Sequence, residues 1–126
     1  RWVISMGRTR RSAKDAGARF ERQMADWFAQ VFDDDRIDRM VRRGANDAGD
    51  IAGIRAHDRP VAVECKNVTR LSLPEWVKEA RKEASNSSAL AGVVVSKRHG
   101  VGDPARQWVH MEARDFVALI LGVRID

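Results

Sequence analysis

The stretch from Gly49 to Lys66, GDIAGIRAHDRPVAVECK, decides the fold. Its two ends, Asp50–Ile54 and Val61–Lys66, are short runs of residues that favour β-strands. The residues between them are mostly polar and suit a hairpin connection whose turn lies near His57–Asp58. The stretch therefore predicts two neighbouring antiparallel strands.

Three side chains of this hairpin are suited to chemistry. Glu64 and Lys66 share a face because side chains alternate along a strand, and residues opposite each other in an antiparallel pair also share one. Asp50 falls opposite Glu64 or Lys66, in a register that the sequence leaves open. In either register all three lie within about 5 to 8 Å of one another at Cβ. Two carboxylates and a lysine at strand ends suit a hard divalent cation bound through oxygen.

The alternative is a surface hairpin in which the same residues form a cross-strand ion pair. An acid-x-Lys pattern with an aspartate upstream is expected about once by chance in so charged a chain. However, residues 61–65 are too apolar for an exposed strand. A buried pair of acids without a cation would also be costly. The sequence therefore favours a functional group of residues over a surface ion pair.

An amphipathic helix is predicted before the hairpin, from Ser12 to Phe32. Apolar residues recur there at spacings of three and four, at positions 16, 20, 24, 27, 28 and 31. Glu21 lies about 100° round the helix from Phe20, the centre of this stripe, and so at the edge of the buried face. Glu21 is either a solvated residue or a fourth member of the site that reaches over the sheet.

The rest of the chain continues the alternation of helices and strands. Ser72-Leu73-Pro74-Glu75 has the spacing of a capping box and predicts the start of a second helix. The other predicted elements are a short strand over 36–42, a buried strand over 90–96, a strand over 107–111 and a last helix over 113–123. The order α-β-β-β-α-β-β-α predicts one α/β domain with a mixed sheet, spanning residues 15–126.

The charge of the chain is unevenly distributed. Residues 1–14 hold five basic residues and no acid, which accounts for the whole formal net charge of +5. A basic N-terminal arm on a neutral body predicts attraction to a polyanion such as DNA, and a merely solvated terminus is the alternative. Cys65 is the single cysteine, and no apolar run approaches the roughly 20 residues of a membrane span. These features indicate a reducing compartment, the cytoplasm.

Three motifs together resemble the PD-(D/E)XK nuclease superfamily. They are Gly17-x-x-Phe20-Glu21-Arg22, Gly49-Asp50-Ile51-Ala52 and Val63-Glu64-Cys65-Lys66-Asn67. Within the superfamily, the chain looks most like the small Holliday-junction resolvases of archaea and phages, over roughly residues 17–111. It departs from the pattern in having glycine rather than proline before Asp50, and its second helix lacks the Gln-x-x-x-Tyr pattern of the exonuclease-like branch.

The resemblance implies a restriction-endonuclease-like core and Mg²⁺-dependent DNA cleavage that leaves 5′-phosphates, with Mn²⁺ as a substitute metal. It implies that Asp50, Glu64 and the Cys65 backbone carbonyl bind the metal. Lys66 would position the attacking water or stabilise the transition state, and Glu21 would be the helix-borne acid, a further candidate metal ligand. The implied partners are four-way DNA junctions and a second copy of the chain, since paired cuts across a symmetric junction call for two identical sites. A phage-encoded enzyme would act in the host cytoplasm.

Basic residues in the arm and beside the site are candidate contacts with DNA phosphates. These candidates are Arg8, Arg10, Arg11, Arg42, Arg43, Lys97 and Arg98. Two other functions stay open at this point. One is an endonuclease for ordinary duplex DNA, of restriction or repair type, and the other is a DNA-binding module that has lost catalysis.

Overall fold

The computed structural model describes residues 9–41 and 48–126. This part of the chain contains three α-helices, seven short strands and a 3₁₀ turn at Pro104–Arg106. The helices are α1 (Arg10–Val31), α2 (Leu73–Asn86) and α3 (Ala113–Leu121). The strands are β1 (Asp38–Arg39), β2 (Ile51–Ala52), β3 (Arg55–Ala56), β4 (Arg59–Pro60), β5 (Ala62–Lys66), β6 (Gly92–Ser96) and β7 (Trp108–His110).

Five of the strands form one mixed sheet in the order β1-β2-β5-β6-β7. The central pair, β5 and β6, is parallel, and the other neighbours are antiparallel. Parallel neighbours need a long crossover connection, which α2 provides. The predicted α/β class with a mixed sheet is therefore confirmed.

The two long helices cover opposite faces of this sheet. Alternate residues of β5 and β6 belong to different apolar clusters, as the two-residue period of a strand requires. One cluster joins Val63, Cys65, Val93 and Val95 to Phe20 and Met24 of α1. On the other face, Ala62 packs with Ala84, and Val94 packs with Trp76 and Ala80 of α2. Buried β5 thus has one face toward α1 and the other toward α2.

The hairpin differs from the sequence prediction in one respect. The strand predicted over Asp50–Ile54 is shorter in the structure and consists of β2 alone. It ends before Gly53, whose φ is +90°. The residues predicted as a plain connection form a separate ladder, β3 with β4. Its turn is at His57 and Asp58, both with positive φ, which confirms the predicted turn position and matches a tight hairpin turn. The additional ladder was not in the predicted element order.

The helix ends also differ from their predictions in detail. α1 begins at Arg10 because the Thr9 side chain accepts a hydrogen bond from the Ser12 N–H at 3.1 Å. Residues 10–14 of the predicted arm are therefore helical. Ser72 is the N-cap of α2, but its side chain makes no capping hydrogen bond, so the predicted capping box does not form. None of the helices in the described ranges has the length and apolar composition needed to cross a membrane.

Candidate active site

β5 carries the central acid-x-Lys sequence, and its alternation sends neighbouring side chains to different layers. Cys65 packs in the α1-side cluster. The Glu64 side chain points to the opposite face of the sheet. One of its carboxylate oxygens lies within 4.8 Å of oxygens of Glu79 and Glu83 on α2. Lys66 points the same way, with its Nζ 3.3 Å from Glu79 Oε1. Glu64 and Lys66 therefore share a face, as predicted, and this face meets α2.

Asp50 is held at the edge of β5 by backbone contacts. Its N–H donates to the Val63 carbonyl at 2.8 Å, and its Oδ2 accepts from the Cys65 N–H at 2.9 Å. Ile51 also pairs with Val63, so two residues of one strand face one residue of the other, as in a β-bulge. Gly49 precedes the bulge with φ +110°, where a Cβ would lie 2.8 Å from the Val63 oxygen. Glycine is thus required at this position, where the motif that the sequence resembles has proline.

The bulge changes how Asp50 meets its neighbours. Regular antiparallel pairing predicts the Asp50 carboxylate beside Glu64 and Lys66. In the structure this carboxylate accepts from the Cys65 N–H, and the group formed by Glu64, Glu79 and Glu83 does not include it. Asp50 is buried, at 3% exposure. The Asp50 carboxylate thus contacts the Cys65 backbone, while the Glu64 and Lys66 side chains reach α2.

Glu21 belongs to the Asp50 side of this arrangement. Its Oε1 accepts from the Arg39 guanidinium at 3.2 and 3.3 Å, which joins α1 to β1. Burial raises the pKa of the Cys65 thiol well above its ordinary value, and the negative charges of Asp50 and Glu21 raise it further. Both carboxylates are therefore near this thiol. The Cys65 side chain packs in the α1-side cluster, so its backbone carbonyl is the group that it offers at the Asp50 edge.

The donor set fits a hard divalent cation. Asp50 and Glu64 are both buried, and in the described ranges the Glu64 Oε2 atom has no hydrogen-bond partner. The N–H and carbonyl of one strand residue point to the same edge, so the Cys65 carbonyl points toward the edge where Asp50 is bound. Carboxylate and carbonyl oxygens are the ligands that Mg²⁺ prefers.

Glu79 and Glu83 were missed at the sequence level. They are four residues apart and so lie on one face of α2. Glu83 is 2% exposed and lies in the same helix stripe as Trp76, Ala80 and Ala84. A glutamate in an apolar stripe was the available signal, because buried charge needs a partner.

The predicted DNA contacts have different environments. Arg10 and Arg11 are exposed at the start of α1. Lys97 Nζ donates to the carbonyls of Arg98 and Val101, and the Arg98 guanidinium lies 4.7 Å from the centre of the Trp108 ring. The remaining candidates, Arg8, Arg42 and Arg43, lie outside the described residues.

A cavity of about 340 Å³ opens next to Lys66. Its lining combines aromatic rings, cationic side chains and aliphatic side chains. Trp76 is buried, while Trp108 is exposed on β7. At the back, Ser96 Oγ and His110 Nε2 are 2.7 Å apart. The charged and aromatic residues of the lining include Lys66, Trp76, Lys97, Arg98, Trp108 and His110.

Comparisons with protein-family models, with curated proteins and with solved structures find no match to this chain.

Proposed function

We propose that this chain is a Mg²⁺-dependent DNA endonuclease of the PD-(D/E)XK type that resolves four-way junctions. Glu64 is the observation that carries the proposal. Its carboxylate is 4% exposed and has an oxygen without a hydrogen-bond partner in the described part of the chain. It adjoins Cys65, whose N–H binds Asp50, and lies two residues from Lys66. A buried anion in such surroundings is stabilised by a cation.

Asp50, Glu64 and the Cys65 carbonyl are the residues that would hold Mg²⁺. When bound, the ion would withdraw charge from the scissile phosphate and favour attack by water. Asp50 is positioned for this role by the Cys65 N–H, which donates to one of its carboxylate oxygens. Glu21 adds negative charge on the same side and is itself oriented by Arg39.

Lys66 would act on the phosphate directly. Its side chain is 22% exposed, and its ammonium contacts Glu79, whose side chain is about half exposed. An exposed ion pair of this kind contributes little stability, so a DNA phosphate can compete for the ammonium. Lys66 would then place a positive charge beside the reacting group and orient the attacking water.

The fold supports the proposal at a coarser level. A restriction-endonuclease-like core needs a mixed sheet with helices on both faces and its acidic residues on adjoining strands. Here β2 and β5 adjoin, with α1 and α2 on opposite faces. The bulge at Asp50 also fits, since bulges occur often beside active sites, where they redirect a side chain.

DNA binding is supported by the surface around the cavity. Lys97 and Arg98 line it together with Lys66. Trp108 is exposed there under the Arg98 guanidinium. Cationic and aromatic groups together are suited to phosphates and unstacked bases. An open junction centre offers both.

A homodimer is part of the proposal. α3 exposes Phe116, Val117, Ile120 and Leu121, whose spacing places them on one face of the helix. A contiguous apolar face of this kind is typical of an interaction surface. A second copy would bury it and supply the second active site that paired cuts require. Ile120→Asp should then convert a dimer to a monomer in size-exclusion chromatography with light scattering.

The central experiment compares a synthetic four-way junction with linear duplex of the same sequence, with Mg²⁺ and with EDTA. We expect Mg²⁺-dependent paired nicks with 5′-phosphate ends, confined to the junction. Asp50→Asn should abolish them while DNA binding persists. Asp26→Asn is the matched control, since Asp26 is an exposed α1 residue paired with Arg22.

The other outcomes separate the rival functions. Equal cleavage of junction and duplex would identify a duplex endonuclease of restriction or repair type. Binding without cleavage in either Mg²⁺ or Mn²⁺ would identify a catalytically dead module. Cleavage by Asp50→Asn at the normal rate would refute the metal assignment.

A further inference from the structure

Three carboxylates from two elements meet between β5 and α2. Glu64 comes from the centre of the sheet, and Glu79 and Glu83 come from successive turns of the helix that covers it. One oxygen of each lies within 4.8 Å of the others. This group, called the α2 acidic cluster below, does not include Asp50.

The cluster is buried on its inner side and open on its outer side. Glu64 and Glu83 are 4% and 2% exposed, whereas Glu79 is exposed. Like charges at this separation repel, and water cannot solvate the two inner carboxylates. The Lys66 ammonium contacts Glu79, at the outer side.

Glu64 gives an independent sign that a ligand belongs here. Its Oε2 is inaccessible to solvent and has no hydrogen-bond partner within residues 9–41 and 48–126. One Glu64 carboxylate oxygen lies within 4.8 Å of oxygens of Glu79 and Glu83. Buried polar atoms of folded proteins are almost always hydrogen-bonded, so an exception calls for a bound group.

We infer that the α2 acidic cluster binds a divalent cation, at a site distinct from that of Asp50. The ligands are carboxylate oxygens alone, which favour Mg²⁺, Mn²⁺ or Ca²⁺ over zinc, whose sites in proteins typically use histidine and cysteine. The open side at Glu79 gives the ion access from solvent and room for its water ligands. Glu64 is common to this site and to the proposed catalytic one, so the inference rests partly on the proposed function.

Occupancy of the cluster has a consequence for Lys66. A cation held by Glu79 neutralises the charge that attracts the Lys66 ammonium in the metal-free protein. The ammonium is then free to contact a phosphate. The cluster thereby links cation binding to the availability of the lysine.

Counting bound Mn²⁺ tests the inference. Electron paramagnetic resonance of free Mn²⁺, together with calorimetry, should find two ions on the wild-type chain. Glu83→Gln should bind one, and Asp50→Asn should also bind one, at the other site. Glu79→Gln should weaken one site by about tenfold or more. Glu75→Gln is the control, because Glu75 is an exposed residue in the first turn of the same helix.

Two outcomes would overturn the inference. One is Mn²⁺ binding by Glu83→Gln and Glu79→Gln with wild-type stoichiometry and affinity. The other is a wild-type chain that binds a single Mn²⁺ ion, when Asp50→Asn binds none. That result would mean that protons, not a cation, neutralise the α2 acidic cluster. Glu79 is exposed, so Glu79→Gln remains informative if Glu83→Gln does not fold. Failure of the proposed function is distinguishable. A wild-type chain that binds two Mn²⁺ ions but cuts no DNA would support cation binding by the α2 acidic cluster and refute only the nuclease function.

Discussion

Replacing Glu64 by glutamine should stabilise the metal-free protein while abolishing cleavage. The substitution keeps the shape of the side chain and removes a buried negative charge. It also gives Glu79 and Glu83 an amide donor in place of a third carboxylate. Most core substitutions destabilise, so a gain in stability coupled to a loss of activity would mark Glu64 as a residue retained for function.

The expected gain follows from the geometry of the α2 acidic cluster. Two unit charges 4.8 Å apart repel by roughly 3.5 kcal/mol at an effective dielectric of 20. Solvent at Glu79 and the Lys66 contact reduce this value. We therefore expect the free energy of unfolding to rise by about 1 to 3 kcal/mol in EDTA. In a domain of this size, that is about 3 to 5 °C in Tm for each kcal/mol.

Thermal and urea unfolding in EDTA and in Mg²⁺ provide the assay. Mg²⁺ stabilises only a chain that binds it in the native state, by about 1.4 kcal/mol at ten times its Kd. The wild-type protein should gain this stability and Glu64→Gln should not, so the difference between them narrows in Mg²⁺. Glu75→Gln should match wild type within about 0.5 kcal/mol in both buffers. A Glu64→Gln protein less stable than wild type in EDTA would refute the reasoning.

Four further predictions concern the site and its support. Lys66→Ala should abolish junction nicking while changing the Kd for DNA by less than about threefold, measured by fluorescence anisotropy; a normal cleavage rate would remove Lys66 from the mechanism. Trp108→Ala should weaken junction binding by about 1 to 3 kcal/mol if its exposed ring stacks on a base, and an unchanged Kd would exclude stacking. Gly92→Ala should destabilise the fold by about 2 to 4 kcal/mol in urea unfolding, because its Cβ would lie 2.2 Å from the Ala80 carbonyl oxygen; wild-type stability would show that α2 can move away from β6. Cys65 should resist a thiol reagent at pH 8 in the folded protein, because burial raises the pKa of its thiol, whereas fast modification would show the site to be open.

The sequence was a reliable guide wherever a local pattern controlled the structure. Period-two alternation over residues 61–66 correctly predicted that Glu64 and Lys66 share a face. The apolar stripe around Phe20 correctly predicted that Ala16, Phe20 and Met24 are buried, whereas Val31 at its end is exposed. Such patterns depend on the geometry of one helix or one strand, which neighbouring residues determine.

Local patterns were insufficient where two elements meet. The bulge at Asp50 depends on the φ of Gly49 and on its approach to Val63, and a regular register did not predict the contact between the Asp50 carboxylate and the Cys65 N–H. The Ser72 cap is another example, because the predicted hydrogen bond does not form although the helix begins as expected. Small shifts in register or turn geometry change which groups touch. The sequence does not show such shifts directly.

The amino-acid sequence by itself determined the α/β class, the buried strand β5 and the acid-x-Lys group that it carries. Only the tertiary structure decided that Glu64 meets Glu79 and Glu83, and that a cavity opens between Lys66 and Trp108. The reason is physical. The side-chain direction along one strand follows from covalent geometry, whereas the distance between a strand and the helix packed on it depends on the whole core. Glu83 stood out in the sequence only as a glutamate in an apolar stripe, and the packing of α2 on β5 placed it and Glu79 against Glu64.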